Sequence, residues 1–305
     1  MVMALKESVK VDIYKLDIYR KLNKVSEGTD VSLVQLESLL DNAMYRVYYS
    51  DDKNIANKDN MIDYFSGGSD DTPDKIIAYY NYGEISGPSK VIIKNINVTS
   101  ETIPSENKSK MTDISIIGDD VKSIGDDAFK SYSKLESVKL SDSITSIGDN
   151  AFYGCEKLAL TELPSGLTSI GDCAFKSCAK LALTGLPDGV TSIGEEGFSG
   201  CSNITLTKLP EGVASIGNSA FYNCTSLPEM TFPKTLESID WAAFMGCSSL
   251  QTVTFTGTPT SISGPVFWNC SSLTTIYCPW SEGDVSGAPW SAENATIVYD
   301  YHPTT

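Results

Sequence analysis

Ser123-Ile-Gly-Asp-Asp-Ala-Phe129 returns at intervals of 23 residues, beginning again at Ser146, Ser169, Ser192, Ser215, Ser238 and finally as Ser261-Ile-Ser-Gly-Pro-Val-Phe267. A period that never slips means that each unit stacks on a like neighbour, because an insertion would throw buried side chains out of line. More than half of the chain is thus predicted to be a solenoid.

Set out from its leucine, one unit reads Leu135-Glu-Ser-Val138-Lys-Leu140, a turn, Ile144-Thr-Ser-Ile147, Gly148 and Asp149-Asn-Ala-Phe152-Tyr-Gly-Cys155. The hexamer predicts one short strand and Ile-Thr-Ser-Ile a second, while Asp-x-Ala-Phe predicts a helical turn capped by its aspartate. Pro-Ser-Gly, Pro-Asp-Gly and Pro-Glu-Gly, starting at 164, 187 and 210, predict the turn between the strands, with glycine expected at φ > 0. The expected fold class is therefore an α/β solenoid of 23-residue coils, each built of short strands plus a helical turn. Like residues then fall in columns spaced ~4.8 Å apart. Phe129 through Phe267 form one core column and Ile124 through Ile262 another. In the first strand the apolar residue moves from the fourth place in Val138 and Val253 to the third in Leu160, Leu183 and Leu206, which reads as local bulging.

The unit resembles the bacterial surface antigen type (BspA-like) leucine-rich repeats, whose signature is Ile-Gly-x-x-Ala-Phe-x-x-Cys-x-x-Leu. The likeness spans residues 112 to 280 and departs at Ile239-Asp240-Trp241 and Ile262-Ser263-Gly264, where the glycine is lost. It implies a leucine-rich repeat fold and an adhesin-like or ligand-binding surface protein rather than an enzyme. The stretch from Pro279-Trp280 to Pro289-Trp290 resembles the terminal cap of repeat proteins of gut phages and prophages, which implies a virion appendage as one setting.

Three regions are expected: a small α+β capping or attachment domain over 1–110, the leucine-rich repeat solenoid over 111–278, and a C-terminal cap over 279–305. In the first, Leu5, Val9, Ile13, Leu16, Leu22 and Val25 suit one side of a helix, but the alternation at 11–14 suits a strand equally. Ser32 and Gln35 have capping-box spacing ahead of Leu36, Leu39, Leu40 and Ala43, which predicts a helix. Lys75 to Tyr82 and Lys90 to Val98 predict two strands about a turn. Nine of the fifteen tyrosines precede residue 83, a bias that strands and interfaces both explain. The region reads either as a cap over the first coil or as an attachment segment, within residues 1–50, for a larger assembly.

With 41% hydrophobic and 20% charged residues the chain has material for a core, and no apolar run reaches the length of a bilayer. A net charge of −16 argues against nucleic acid as a partner. Cys155, Cys178, Cys201, Cys224, Cys247 and Cys270 occupy one repeat position, so they are expected as a row of buried free thiols rather than disulfides. No metal and no cofactor is expected: a linear row offers zinc no convergent geometry, and His302 is the only histidine. Cys173 falls outside the row and reads as either partly exposed and reactive or simply packed. Residues 1–25 contain no secretory leader, which predicts cytoplasmic synthesis. Virion association, or a leader removed from the chain, reconciles this with a surface family. The carboxylates of Asp126, Asp149, Asp172 and Glu195 form a further column, read as helix caps in preference to a calcium site.

No phosphate loop, nucleophile elbow or metal motif is present, so the chain is not expected to be an enzyme; a two-carboxylate glycosidase is the last alternative. Candidate contacts come from columns whose residues vary. Tyr222, Met245 and Trp268 follow the core phenylalanines of the later coils, and Trp241 replaces the capping carboxylate. These four are expected either on one exposed ridge that binds a protein or glycan on a host surface, or packed against the terminal cap of Trp280 and Trp290. The leading expectation is a non-enzymatic binding or structural protein of a virion or cell surface, and the second an intracellular interaction scaffold.

Overall fold

The computed structural model describes residues 13–16, 22–26, 46–50, 76–80, 90–103 and 108–302. It is a β-solenoid of about nine turns of roughly 23 residues. The seven Ser-Ile pairs form a parallel ladder ordered from Ser261–Ile262 back to Ser123–Ile124, with serine opposite serine and isoleucine opposite isoleucine. In this ladder every isoleucine is buried, while its serine stays at the surface or half-buried. The period of two within a strand thus faces one residue inward and one outward.

Inside the coils the phenylalanines stack face to face. Ring centroids from Phe152 to Phe175, Phe198, Phe221 and Phe244 lie 5.2, 5.4, 5.4 and 5.0 Å apart, with interplanar angles of 16° or less. The six row cysteines lie beside them, buried and unbridged. Tyr132 takes the cysteine position in its coil and meets Phe129 edge-on at 5.5 Å. Its ring is fully buried, and among the described residues its hydroxyl has no hydrogen-bond partner.

The expected helical turn does not form, and among the described residues there is no helix. The α/β description is therefore replaced by an all-β coil with irregular turns. The backbone N–H groups decide this. Asp127, Phe129 and Ser131 donate to the carbonyls of Asp149, Ala151 and Tyr153 in the next coil, whereas Ala128, Lys130 and Tyr132 donate three residues back. A helix would send all of them back along the chain. The alternation also needs left-handed backbone at two places per coil, as at Asn150 and Gly154 or at Cys173 and Ser177, and these interrupt any helical run. On the Ser-Ile side the direction reverses, since Gly148 and Gly171 donate to Ile124 and Ile147 of the preceding coil.

The aspartate column is corrected with the helix. Asp126, Asp149 and Asp172 accept, through Oδ1, the backbone N–H of Asp149, Asp172 and Glu195 at 2.9, 2.8 and 2.7 Å, so each carboxylate caps the next coil instead of its own. This contact explains the glycine that precedes it. A Cβ on Gly171 would stand 2.5 Å from Asp149 Oδ1 and 2.7 Å from the Gly148 carbonyl carbon. The turn glycines answer to proximity too. Pro164 accepts the N–H of Leu167 as a turn requires, but Gly166 is not left-handed, and its missing Cβ makes room for the Asp142 carbonyl.

The opposite face of the solenoid carries the longer strands. Glu229–Phe232, Thr252–Phe255, Thr275–Tyr277 and Thr296–Val298 pair in parallel, so the terminal region contributes a further strand. Its Trp280 and Trp290 are buried, meeting Phe255 at 5.0 and 6.1 Å. At the other end the sheet order is Arg46–Ser50, Ile76–Tyr80, Lys90–Lys94, Asp113–Ile117, Ser137–Lys139. Lys90–Lys94 pairs antiparallel with Ile76–Tyr80, as the sequence predicts, and parallel with Asp113–Ile117, so residues 90–94 share a sheet with the first coils. Between these sheets the segments around Leu160, Leu183 and Leu206 form no regular strand. Ala182 and Thr205 still donate N–H to the Leu160 and Leu183 carbonyls of the preceding coil, so single bonds hold the coils together there. Ile13–Leu16 and Leu22–Ser26 form an antiparallel pair, which settles the choice between helix and strand for those residues. The helix expected after Ser32 lies outside the described residues.

Two substitutions test this packing by denaturant unfolding. Phe198→Ala opens a hole between rings that cannot close over it, and a loss of about 3–5 kcal/mol is expected. Tyr132→Phe removes an unpaired buried hydroxyl and is expected to stabilise the fold by about 1 kcal/mol.

Candidate functional site

Two features distinguish the solenoid surface. The first is a groove of about 610 Å³ along the Ser-Ile-Gly-Asp ladder, bounded by Ser146 and Asp149 at one end and by Asn218 and Asp240 at the other. Gly148, Gly171, Gly194 and Gly217 line it between the serine and carboxylate columns. The groove is not among the sequence expectations, although the serine and carboxylate columns that line it are visible in the residues. The ladder hydrogen bonds of Asp126, Asp149 and Asp172 run through Oδ1. Among the described residues no group of three or more His, Cys, Asp or Glu side chains is arranged to hold a metal ion.

The second feature is aromatic. Trp241 and Trp268 are 57% and 47% exposed, and they are the large exposed hydrophobic residues of the described surface. Tyr222, Met245 and Trp268 stand in one column, joined where Asn223 N–H donates to the Met245 carbonyl at 2.8 Å and Gly246 N–H to that of Trp268 at 2.9 Å. Tyr222 and Met245 are half-buried. Trp241 stands in the neighbouring carboxylate column, one coil beyond Asn218, with its ring seated on Gly264. A Cβ on Gly264 would lie 2.4 Å from the indole Cε3, so the glycine has moved to where the ring needs it. The structure thus brings three of the expected contact residues into one column and puts the fourth in the next. The terminal cap packs on Phe255 and leaves Trp241 and Trp268 exposed.

Earlier in the Tyr222 column the chemistry is different. Lys130 and Lys176 place Nζ 5.7 and 5.9 Å from the Tyr153 ring centroid, and they pair with Asp127 and Glu196. The column therefore passes from self-satisfied charge to open apolar surface along the axis.

The BspA type leucine-rich repeat region matches residues 101–205 and 174–286 in six copies, together more than half of the chain. This chain belongs to the BspA-type leucine-rich repeat family. Among solved structures it is similar to a leucine-rich repeat protein of T. pallidum at 28% identity, over 64% of this chain and 88% of that one, with a TM-score of 0.49. A leucine-rich repeat protein of Bacteroides ovatus is similar at 23% identity, over 75% of this chain and 77% of that one, with a TM-score of 0.43. No curated protein sequence matches it.

Within this BspA-type chain the row thiols are buried and hydrogen-bonded. Each row cysteine donates Sγ–H to a phenylalanine carbonyl of the preceding coil, as Cys178 does to Phe152 and Cys201 to Phe175, at 3.1 and 3.0 Å. Burial pushes Cys155 up to about 12, and Cys278, outside the row, is raised equally by burial. Cys173 is half-buried. Burial raises its pKa too; Lys176 pulls it down, while Asp172, Glu195 and Asp149 add to the rise. Cys173 is thus partly exposed, and burial disfavours its thiolate. A raised pKa leaves little thiolate at neutral pH, and that fraction grows about tenfold per pH unit until the pKa is passed. In the native protein a thiol reagent is expected to modify Cys173 first and slowly, with a rate still climbing at pH 9, whereas the row cysteines react on unfolding. Fast modification at pH 7 would contradict this account.

Proposed function

We propose that this chain is a non-enzymatic, adhesin-like binding protein displayed on a cell or a virion, which meets a host protein or glycan through Tyr222, Trp241, Met245 and Trp268. One observation carries the reading: two tryptophans stay open to solvent in the late coils, while two others, Trp280 and Trp290, are buried only a short way along the chain. Exposed tryptophan is costly to leave in water and is the residue type most concentrated where binding energy is concentrated. The rigid stack beneath holds these side chains at fixed spacing, so little ordering is needed on binding.

The test is retention of the full chain on an immobilised panel of host extracellular-matrix proteins and glycans. The double variant Trp241→Ala/Trp268→Ala is expected to lower retention about tenfold or more without changing the melting temperature. Retention equal to that of the parent chain would remove the ridge from consideration.

A further inference from the structure

We propose that the groove beside the ridge binds a linear, uncharged polysaccharide laid along the solenoid axis, one sugar to each coil, with Trp241 stacking on the sugar at the C-terminal end. This rests on the reading of the chain as a binding protein and names the class of ligand. Three observations carry it.

The first is the repeat distance. Successive coils from Phe152 to Phe244 are set 5.0 to 5.4 Å apart, as their stacked rings record. An extended chain of pyranoses advances by a closely similar distance per sugar, so every ring along the groove meets the same groups. A peptide strand advances only about 3.3 Å per residue, so it cannot place one residue at each coil.

The second is the chemistry offered per coil. Ser169, Ser192 and Ser215 supply hydroxyls, and Asp149, Asp172 and Glu195 supply acceptors. Sugar hydroxyls donate to a carboxylate through charge-assisted hydrogen bonds. The same carboxylates repel a uronate, sulfate or sialate, which restricts the ligand to uncharged sugars.

The third is the end of the groove. After Asn218 the carboxylate column is continued by Trp241, whose ring rests on Gly264 with the residue 57% exposed. The negative face of an indole attracts the weakly positive C–H groups on the apolar side of a pyranose. An aromatic platform in line with a polar groove suits a ligand whose rings have polar edges and apolar faces.

Calorimetric titration of the full chain with cello-oligosaccharides and N-acetylglucosamine oligosaccharides, from dimer to hexamer, tests the proposal. Binding by at least one series is expected, tightening with each added sugar, and Trp241→Ala is expected to weaken the hexamer about tenfold. The variant Asp149→Asn/Asp172→Asn keeps an Oδ1 for each ladder hydrogen bond and preserves the fold. It is expected to weaken the neutral hexamer, because charge-assisted hydrogen bonds to the sugar become neutral ones. Absence of binding by both neutral series, affinity independent of length, or a hexamer indifferent to Trp241→Ala would each overturn the proposal. If the neutral series fail while the double tryptophan variant still loses the immobilised partner, the glycan assignment falls and the ridge stands. If a series binds in the groove while partner retention ignores both tryptophans, the ridge falls and the glycan assignment is supported.

Discussion

Every feature of this molecule depends on hydrogen bonds that leave one coil and end on the next. Asp127, Phe129 and Ser131 each give a backbone N–H to the following coil, and the pattern recurs through Asn150 and Cys173. These bonds fix the separation of the coils, and that separation brings the phenylalanine rings into contact. Burial of the rings then adds to the stabilisation, since a phenylalanine removed from water is worth about 1.5–3 kcal/mol. The two effects require each other. Without the ring stack the N–H groups would compete with water, and without the bonds the rings would have no common plane.

Much of this was legible in the residues because the constraint is periodic. A side chain that must touch its own copy one coil away leaves the same letter at the same place, and so the phenylalanine, isoleucine and cysteine columns were recognisable. The helical turn was misread for a definite reason. Asp-x-Ala-Phe satisfies the local preferences of a capped turn, but local preference does not count the partners available in an adjacent coil. The left-handed positions carry no reliable letter either, being filled by Cys173, Glu196 and Ala242 as well as by asparagine. Their conformation is imposed by stacking.

The surface was legible in part. Trp241 was conspicuous because it interrupts a column of polar residues, and Trp268 because it ends a variable column that turns apolar in the later coils; the structure leaves both exposed. The groove was not conspicuous, because its lining residues are the small and polar ones that the ladder itself requires. Gly171 and its equivalents are required by the close approach of the neighbouring aspartate and backbone. Stacking then repeats the serine and carboxylate groups along a polar channel with a regular spacing.

The opposed directions of the cross-coil bonds have an electrostatic consequence. On the Asp-x-Ala-Phe side N–H groups point toward the C-terminal end, while at the ladder glycines they point toward the N-terminal end. Peptide dipoles on the two sides therefore oppose one another, unlike those of an α-helix, which sum along its axis. Adding a unit adds almost no polarisation, so a spiral of this kind can be lengthened or shortened by whole repeats in evolution without accumulating charge at its tips.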